Sequence, residues 1–319
     1  MTNISFRNEY FLADYIYKIG NFNTEFIKTG FLGEGYTDLY NCNFAQLDTL
    51  DDKKRLRQSI GGKEDPQKNV TYDFCIIPST GFLGNNDPLP LNTELKLSFD
   101  RTAASLPLMA ADAVDVELPL LDCYAMVEYV SSPNMRSYFD SIDYEPLRYD
   151  FEDCEVYTKS IPQSETNIRF DNLRGGNVPS HMFIGIIDTP AFNGDFTLSS
   201  TKFSPHKVSQ MNITLNGNSV NGYPLKVEEE RVTLPLLKFI DCTNQIQNVN
   251  AGSTINPYEF KFNWLWSHCF ESEETSQGWI GIDFKLDQAF DSPMTMVVWV
   301  ITPTRIAIDK FHQLEKIHL

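Results

Sequence analysis

Histidines, cysteines and carboxylates are the residues of this chain from which chemistry could be built. His181, His206, His268, His312 and His318 lie far apart, with no HxH or HExxH spacing, and no GxSxG turn precedes any of them. Neither the zinc-hydrolase pattern nor the serine-nucleophile elbow is therefore present. A dyad of His206 and Cys269 would need the fold to join them, and a hydrogen-bonded structural imidazole is the simpler expectation. Cys42, Cys75, Cys123, Cys154, Cys242 and Cys269 are scattered singly without a CxxC pair, which argues against zinc and for reduced thiols. Gly175 and Gly176 in LRGGN lack the lysine and the strand-to-helix context of a phosphate loop and read as a turn. Asp188, Asp195, Asp283 and Asp287 sit at predicted strand ends, where a pair of carboxylates could do glycosidase work. In a chain with 43 acidic residues against 26 basic ones, such groups are expected to form turns and solubilise the surface. The sequence thus predicts no catalytic residue, no cofactor and no metal.

The charge balance narrows the partners. A net charge of −17 and a pI near 4.7 leave no basic face for nucleic acid. Lys53, Lys54, Arg55 and Arg57 stand beside Asp48, Asp51 and Asp52, a mixed run that reads as a solvated surface. No apolar stretch approaches the length of about 18 residues that a membrane helix requires, and MTNISFRNEYF lacks the basic and apolar regions of a signal peptide. The expectation is a soluble intracellular chain, in which the glycosylation patterns at Asn3, Asn69 and Asn212 are chance matches.

Aromatics are the surplus worth following. Trp264, Trp266, Phe270, Trp279 and Trp299 crowd the last third of the chain. A carbohydrate platform would need these rings exposed, whereas a core or a subunit contact needs them buried. Burial is the reading adopted, and the alternation in FNWLW sets Trp264 and Trp266 on one face. Trp264, Trp266, Phe270 and Trp279 are accordingly the expected subunit-contact residues.

The elements that must position these groups read as strands. Between Glu155 and Val227 the chain offers EVYTKSIP, then MFIGIID closed by Pro190, then the alternating QMNITLNG and SVNGYPLKV, with Asn-Gly pairs at Asn193, Asn216 and Asn221. Each pair supplies the positive φ of a tight turn. Residues 1–60 are the least patterned, with a polar stretch, FAQLDTLDDKKRLRQSIGG, that suits a short helix or an excursion between strands. VTYDFCIIP and ELKLSFDR read as strands joined by a Gly/Pro/Asn-rich link containing Phe82 and Leu83. RTAASLPLMAADAVDVELP loses periodicity and marks a boundary, after which LLDCYAMVEYV reads as a strand and SSPNMRSYFDSIDYEPLRYDFED as a link with a helical turn. EEERVTLPLLKFIDCTNQ places Leu234, Leu237 and Phe239 at spacings that suit a helix with Pro235 in its first turn, although helix and strand are not separable there.

YEFKFNWLW and GWIGIDFKLD alternate at period two. MTMVVWVITPTRIAID is a long apolar run fit for a strand buried on both faces, and FHQLEKIHL would add a short helix. Many short strands, few helices and no βαβ rhythm predict an all-β sandwich or barrel.

Three of these stretches resemble a known family. NVTYDFCIIPSTGFLGNNDPLPLNTELKLSFDR, then EVYTKSIP through NGYPLKV, then MTMVVWVITPTRIAIDK are similar to the hexon-like major capsid proteins of Polinton (Maverick) elements and adintoviruses. The strongest points are an IP-containing strand, a polar link, VPSHMFIGIIDTPAFNGDFT with its A-x-N-G turn, F-x-x-x-x-V-x-Q, and a strand ending in NG. The resemblance covers about residues 69–319 and, more weakly, 10–60.

It implies an antiparallel double jelly roll of two β-sandwiches side by side, forming pseudo-hexagonal trimers that tile an icosahedral shell. Residues 1–115 would then be a partial or reduced first jelly roll and 116–319 the second. Family members carry further residues ahead of the part matching Asn21. The early strands of the first barrel would come from another chain, or be replaced by a reduced barrel, or be lost in a truncated or domesticated copy. The implied partners are further copies of the chain in a homotrimer, neighbouring capsomers, and penton or minor capsid proteins, with no sequence-specific nucleic acid and no membrane span. The implied location is the virion, after synthesis in host cytoplasm or nucleus without a secretion signal. The alternative from another class is a β-sandwich carbohydrate-binding module or hydrolase.

Overall fold

A computed structural model describes residues 145–195, 207–220, 233–243, 265–270, 277–311 and 313–318, with isolated positions elsewhere from 63 onward. The readings for residues 1–60, the basic run at 53–57, the boundary at 115/116 and the Asn221 turn lie outside these residues. In chain order the elements are β1 (Lys63–Glu64), β2 (Val70–Thr71), β3 (Leu147–Ile161), β4 (Asn167–Asn177), β5 (His181–Asp188), α1 (Thr189–Asn193), β6 (Val208–Leu215) and β7 (Asn218–Ser219). They continue with β8 (Leu225–Lys226), α2 (Thr233–Cys242), β9 (Trp266–Cys269), β10 (Gln277–Leu286), β11 (Met294–Ile308) and β12 (Leu314–His318).

Pairing alone defines the architecture. One sheet runs β3–β11–β5–β9, with β12 continuing the β5 edge of β11; the other runs β4–β10–β6, with β7 and β8 both on β6. Every ladder is antiparallel. Take β7 and β8 as two pieces of one strand: the first strand of this unit then pairs with the last, the second with the seventh, the third with the sixth and the fourth with the fifth. A long hairpin wrapped in this way into two facing sheets is a jelly roll. The predicted all-β class is therefore the observed one.

The side-chain period of two explains why β11 reads as a continuous apolar run. Trp299 on β11 stands opposite Phe183 on β5, and their common face is covered by Phe203, 5.6 Å from Trp299, and by Phe239 of α2, 6.0 Å from Phe183. The alternate residues Met296, Val298 and Val300 are buried on the face towards the β4–β10–β6 sheet. A layer on each side buries both sets. Pro303 interrupts the strand without breaking it. Ser180 N–H donates to the Ile301 carbonyl (2.9 Å), so Pro303, two residues on, faces the same edge. Its missing N–H falls where β5 has ended at Ile301 and β12 begins only at Thr304.

A smaller apolar cluster forms where β3 and β11 outrun β5. Leu147, Tyr149, Ile306 and Ile308 are covered there by Phe82, Leu89, Phe139, Ile142 and Phe151. Tyr149 donates its hydroxyl to the Pro88 carbonyl (3.0 Å).

Several expectations are corrected. LRGGN is the end of β4, not a turn: Gly175 and Gly176 pair with Trp279 and Gly278, and a neighbouring strand takes up the freedom that suggested a bend. In FHQLEKIHL, Leu314–His318 form the strand β12 and not a helix, because Asp309 accepts from the Phe311 and Gln313 amides and closes a hairpin onto β11. In LLDCYAMVEYV the described positions Tyr124, Val127, Tyr129 and Val130 are exposed and outside any strand.

Asn193–Gly194 caps α1, with Gly194 left-handed at φ 89°, while Asn216–Gly217 is a hairpin turn with both φ values positive, 53° and 82°. Helix α2 forms with Pro235 in its first turn, but it buries Leu236, Phe239 and Cys242 and leaves Leu234 and Leu237 exposed. β3 starts at Leu147, eight residues before EVYTKSIP, because LRYDF already alternates.

Candidate functional site

Among the described residues, chemically capable side chains gather where β5, β9 and α2 meet. β9 pairs with β5 so that His181 stands opposite Cys269 and Met182 opposite His268. Phe183, two residues from His181, touches α2, so His181 and Cys269 share the α2 side of the sheet and His268 points to the sandwich side. His181 Nδ1 lies 2.9 Å from Ser180 Oγ. Burial lowers the His181 pKa against the raising pull of Glu152 and Asp241. His268 is 8 % exposed, its Nδ1 has no hydrogen-bond partner, and its ring meets Phe270 edge-on at 4.6 Å. Burial first, and then the Lys238 charge, push its pKa down to about 4.

Two of the thiols, Cys242 and Cys154, are held protonated by burial. Burial raises Cys242 at the end of α2 to about 12, with Cys269 adding to the shift. Burial also raises Cys154 on β3 to about 12, reinforced by Asp153, Glu155 and Glu152. Thiols held protonated in this way are poor nucleophiles and poor metal ligands. Among the described residues no group of three or more His, Cys, Asp or Glu could hold a metal ion. His206 falls outside the described residues, and the cross-strand neighbour of Cys269 is His181.

The predicted strand-end carboxylates are not brought together as a pair. Asp188 accepts from Ser292 Oγ (3.0 Å). Asp195 accepts from the Thr197 amide and hydroxyl, which lower its pKa. Asp283 lies mid-strand on β10, 3.3 Å from Arg169, and Asp287 gives its amide to the Lys207 carbonyl. Each closes a local structure.

Sequence reasoning missed the main polar contact between the sheets. Arg174 on β4 crosses to the other sheet, donating from Nε to Glu155 Oε2 (2.9 Å), from Nη2 to Thr302 Oγ1 (3.1 Å) and from Nη1 to its own strand at the Asn177 carbonyl. Tyr157 donates to the same Glu155 oxygen at 3.0 Å, and burial, then the Glu155 charge, raise the phenol's pKa. The available signal is an arginine in the strand partner of a buried β10, next to two glycines whose pattern reads as a turn.

The expected contact residues separate. Trp266 and Phe270 are interior to this chain and present no ring to a neighbour, because β9 is roofed by α2 on one face and by the second sheet on the other. Trp264 lies outside the described residues. Trp279 is 39 % exposed. It stands on the outer face of β10 opposite Gly175, where no atom lies within 4 Å of a built Cβ, and its ring packs over Gly217. Around it the same face is polar, carrying Arg169, Asp171 and Asp283. Other exposed apolar side chains among the described residues include Leu198, then Leu234 and Leu237 on α2, and Phe311, Leu314 and Ile317 on the β11–β12 hairpin, besides Tyr124, Val127, Tyr129 and Val130. Among the described residues no helix is long and apolar enough to cross a membrane.

No protein-family model matches the chain. An uncharacterized protein of Caenorhabditis elegans is 23 % identical over 140 residues, which are 43 % of this chain and 32 % of that protein. Among solved structures, the PBCV-1 virus capsid superposes with a TM-score of 0.35 at 9 % identity, over 57 % of this chain and 54 % of that one. PBCV-1 VP54, fitted into a reconstruction of the virophage Sputnik, gives the same values. The jelly-roll assignment rests on the strand pairing rather than on these superpositions.

Proposed function

We propose that this chain is a structural shell subunit: a hexon-like major capsid protein of the Polinton and adintovirus kind, or a host-retained derivative, acting by self-association and not by catalysis. The nested pairing of eight strands, with β11 buried on both faces, carries this reading, since a shell subunit needs a rigid sandwich and no active site. The sequence resemblance over residues 69–319 supports it. On this reading residues 116–319 make the second jelly roll and 1–115 a partial or reduced first one. The chain forms homotrimers in a virion, beside other capsomers and penton or minor capsid proteins, with Trp279 at a subunit contact. An obligate contact of this kind buries more than about 2,000 Å² with aromatic residues near its centre. Light scattering followed by negative-stain microscopy tests it. A trimer with a pseudo-hexagonal outline is expected, and a strictly monomeric species at micromolar concentration in every salt would sink the proposal.

A second reading is favoured by one observation: the exposed Trp279 indole has bare glycine backbone across from it and beneath it. A partly exposed ring lying over glycine backbone suits stacking on a neutral sugar, and the chain's net charge of −17 disfavours anionic glycans. Glycan-array binding abolished by Trp279→Ala would establish this, and an array without a hit removes it.

A further inference from the structure

The β9 edge combines features that stability alone does not require. β9 is four residues long and is held to β5 at four positions, His181 to Ile184. In its middle His268 puts an imidazole into the sandwich interior at 8 % exposure, with Nδ1 unpartnered and the ring set edge-on against Phe270. A buried polar atom without a partner is destabilising, and an apolar residue would fit the site better. α2 packs on the other face of this strand pair through Phe239, which touches Phe183.

We propose that β9 is an acid-operated latch: protonation of His268 drives its ring out of the sandwich, peels β9 from β5 and loosens α2, while the β4–β10–β6 sheet stays closed.

The titratable surroundings set the direction. α2 contributes Lys238, Asp241 and Cys242; β3 contributes Glu152; β5 contributes His181; and β9 contributes Cys269 itself. Glu152 and Asp241 act on His181, so a proton there meets carboxylates. Among the described residues the charged group acting on His268 is Lys238, which opposes protonation. A proton on His268 is thus penalised by burial and by a cation together, and moving the ring to water relieves both. β9 is short and lies at the edge of its sheet, so local opening costs less there than at β11 or β10. The device belongs to the fold and holds whatever the chain assembles with.

Hydrogen exchange of the full chain, corrected for the intrinsic pH dependence of exchange, tests it. With His268 near 4 when folded and near 6.5 when released, the opening equilibrium of β9 and α2 should rise about twentyfold between about pH 7 and about pH 5. Peptides from β10 and β6 should not change. His268→Phe should abolish the rise, and His181→Asn should keep it. Equal protection of β9 at both pH values overturns the proposal, as does an unchanged rise in His268→Phe. Should His268→Phe not fold, the NMR titration of His268 in the unaltered chain decides. A midpoint below about 5 supports the latch, and one at or above the ordinary histidine value of about 6.5 overturns it.

Discussion

Arg174 and Glu155 join the two sheets of the sandwich, with Nε and Oε2 2.9 Å apart and the arginine side chain only 9 % exposed. Removing the guanidinium takes a donor from the Glu155 carboxylate, the Thr302 hydroxyl and the Asn177 carbonyl together. A fully buried pair broken on one side costs about 3–5 kcal/mol. Glu155 is 41 % exposed, so solvent screening reduces this to about 2 kcal/mol for Arg174→Ala. Chemical denaturation should show that loss, and Arg174→Lys should recover only part of it, since lysine cannot serve three acceptors from a planar fork. A variant as stable as the parent would mean the clamp is energetically idle.

Gly185 on β5 permits the layer over the outer face. A Cβ there would sit 2.6 Å from Phe203 Cδ1 and 3.2 Å from Leu265 Cδ2. Gly185→Ala should cost about 1–3 kcal/mol through overpacking. Combined with Phe203→Leu, the two changes should cost less than their sum. Thermal unfolding of the four proteins in the cycle checks this, and strict additivity would show that Phe203 moves away freely.

Stability should fall on mild acidification. His268 has a folded pKa of about 4 against an unfolded value of about 6.5. Its contribution is therefore complete above the unfolded value and is lost as pH falls from about 6.5 through 4, up to about 3 kcal/mol. His181, also lowered by burial, works in the same direction. Asp195, lowered by its Thr197 bonds, acts in a separate and more acidic window, where its own stabilisation is lost below the ordinary carboxylate range. Urea unfolding at a series of pH values should show the first slope in the parent and a flatter one in His268→Phe.

Trp279→Ala should leave the fold within about 1 kcal/mol of the parent, because the ring is partly solvated. It should weaken trimers in sedimentation if the ring lies at a subunit contact. Unchanged association would move the contact elsewhere, with the exposed Leu314 and Ile317 of β12 the next pair to substitute.

The Asn216–Gly217 turn sets the β6–β7 register. Gly217→Ala places a Cβ at φ 82° and 3.5 Å from the Trp279 ring, and should cost about 1 kcal/mol. Asn216 also accepts from the Trp279 amide at 3.0 Å, so a change in indole fluorescence should accompany the loss.

What could be read from sequence followed the strength of local patterns. β5, β6, β10 and β11 were legible because alternation or a long apolar run fixes a strand wherever its partners lie. Asn216–Gly217 was legible because both of its φ values need that dipeptide. β12 was misread because five residues of mixed character in LEKIH take their state from β11, a partner no local window contains. LRGGN was misread for a related reason: glycines suggest freedom until a neighbouring strand supplies the ladder. Arg174 was invisible as a clamp because Glu155 and Thr302 become its partners only after two sheets face one another. His268 was visible only as a histidine, since burial without a partner is a tertiary fact. Trp266 and Trp279 look alike in composition, and only the alternation of their separate strands divides the interior ring from the exposed one.

The nested pairing also dictates an order of assembly. Ser219 and Asn212 meet across 7 residues, Trp279 and Asn216 across 63, Arg174 and Thr302 across 128, and Arg305 and Asp150 across 155. Each inner closure shortens the loop that the next must close, so the chain zips from the β6–β7 turn outward and seals with the β3–β11 ladder. Yet β11, the last of the long strands in the chain, is the central strand of its sheet. On a ribosome, β3 and β5 must therefore wait with open edges until residue 308 has emerged, and that interval of exposed strand is where misassembly and chaperone capture would concentrate.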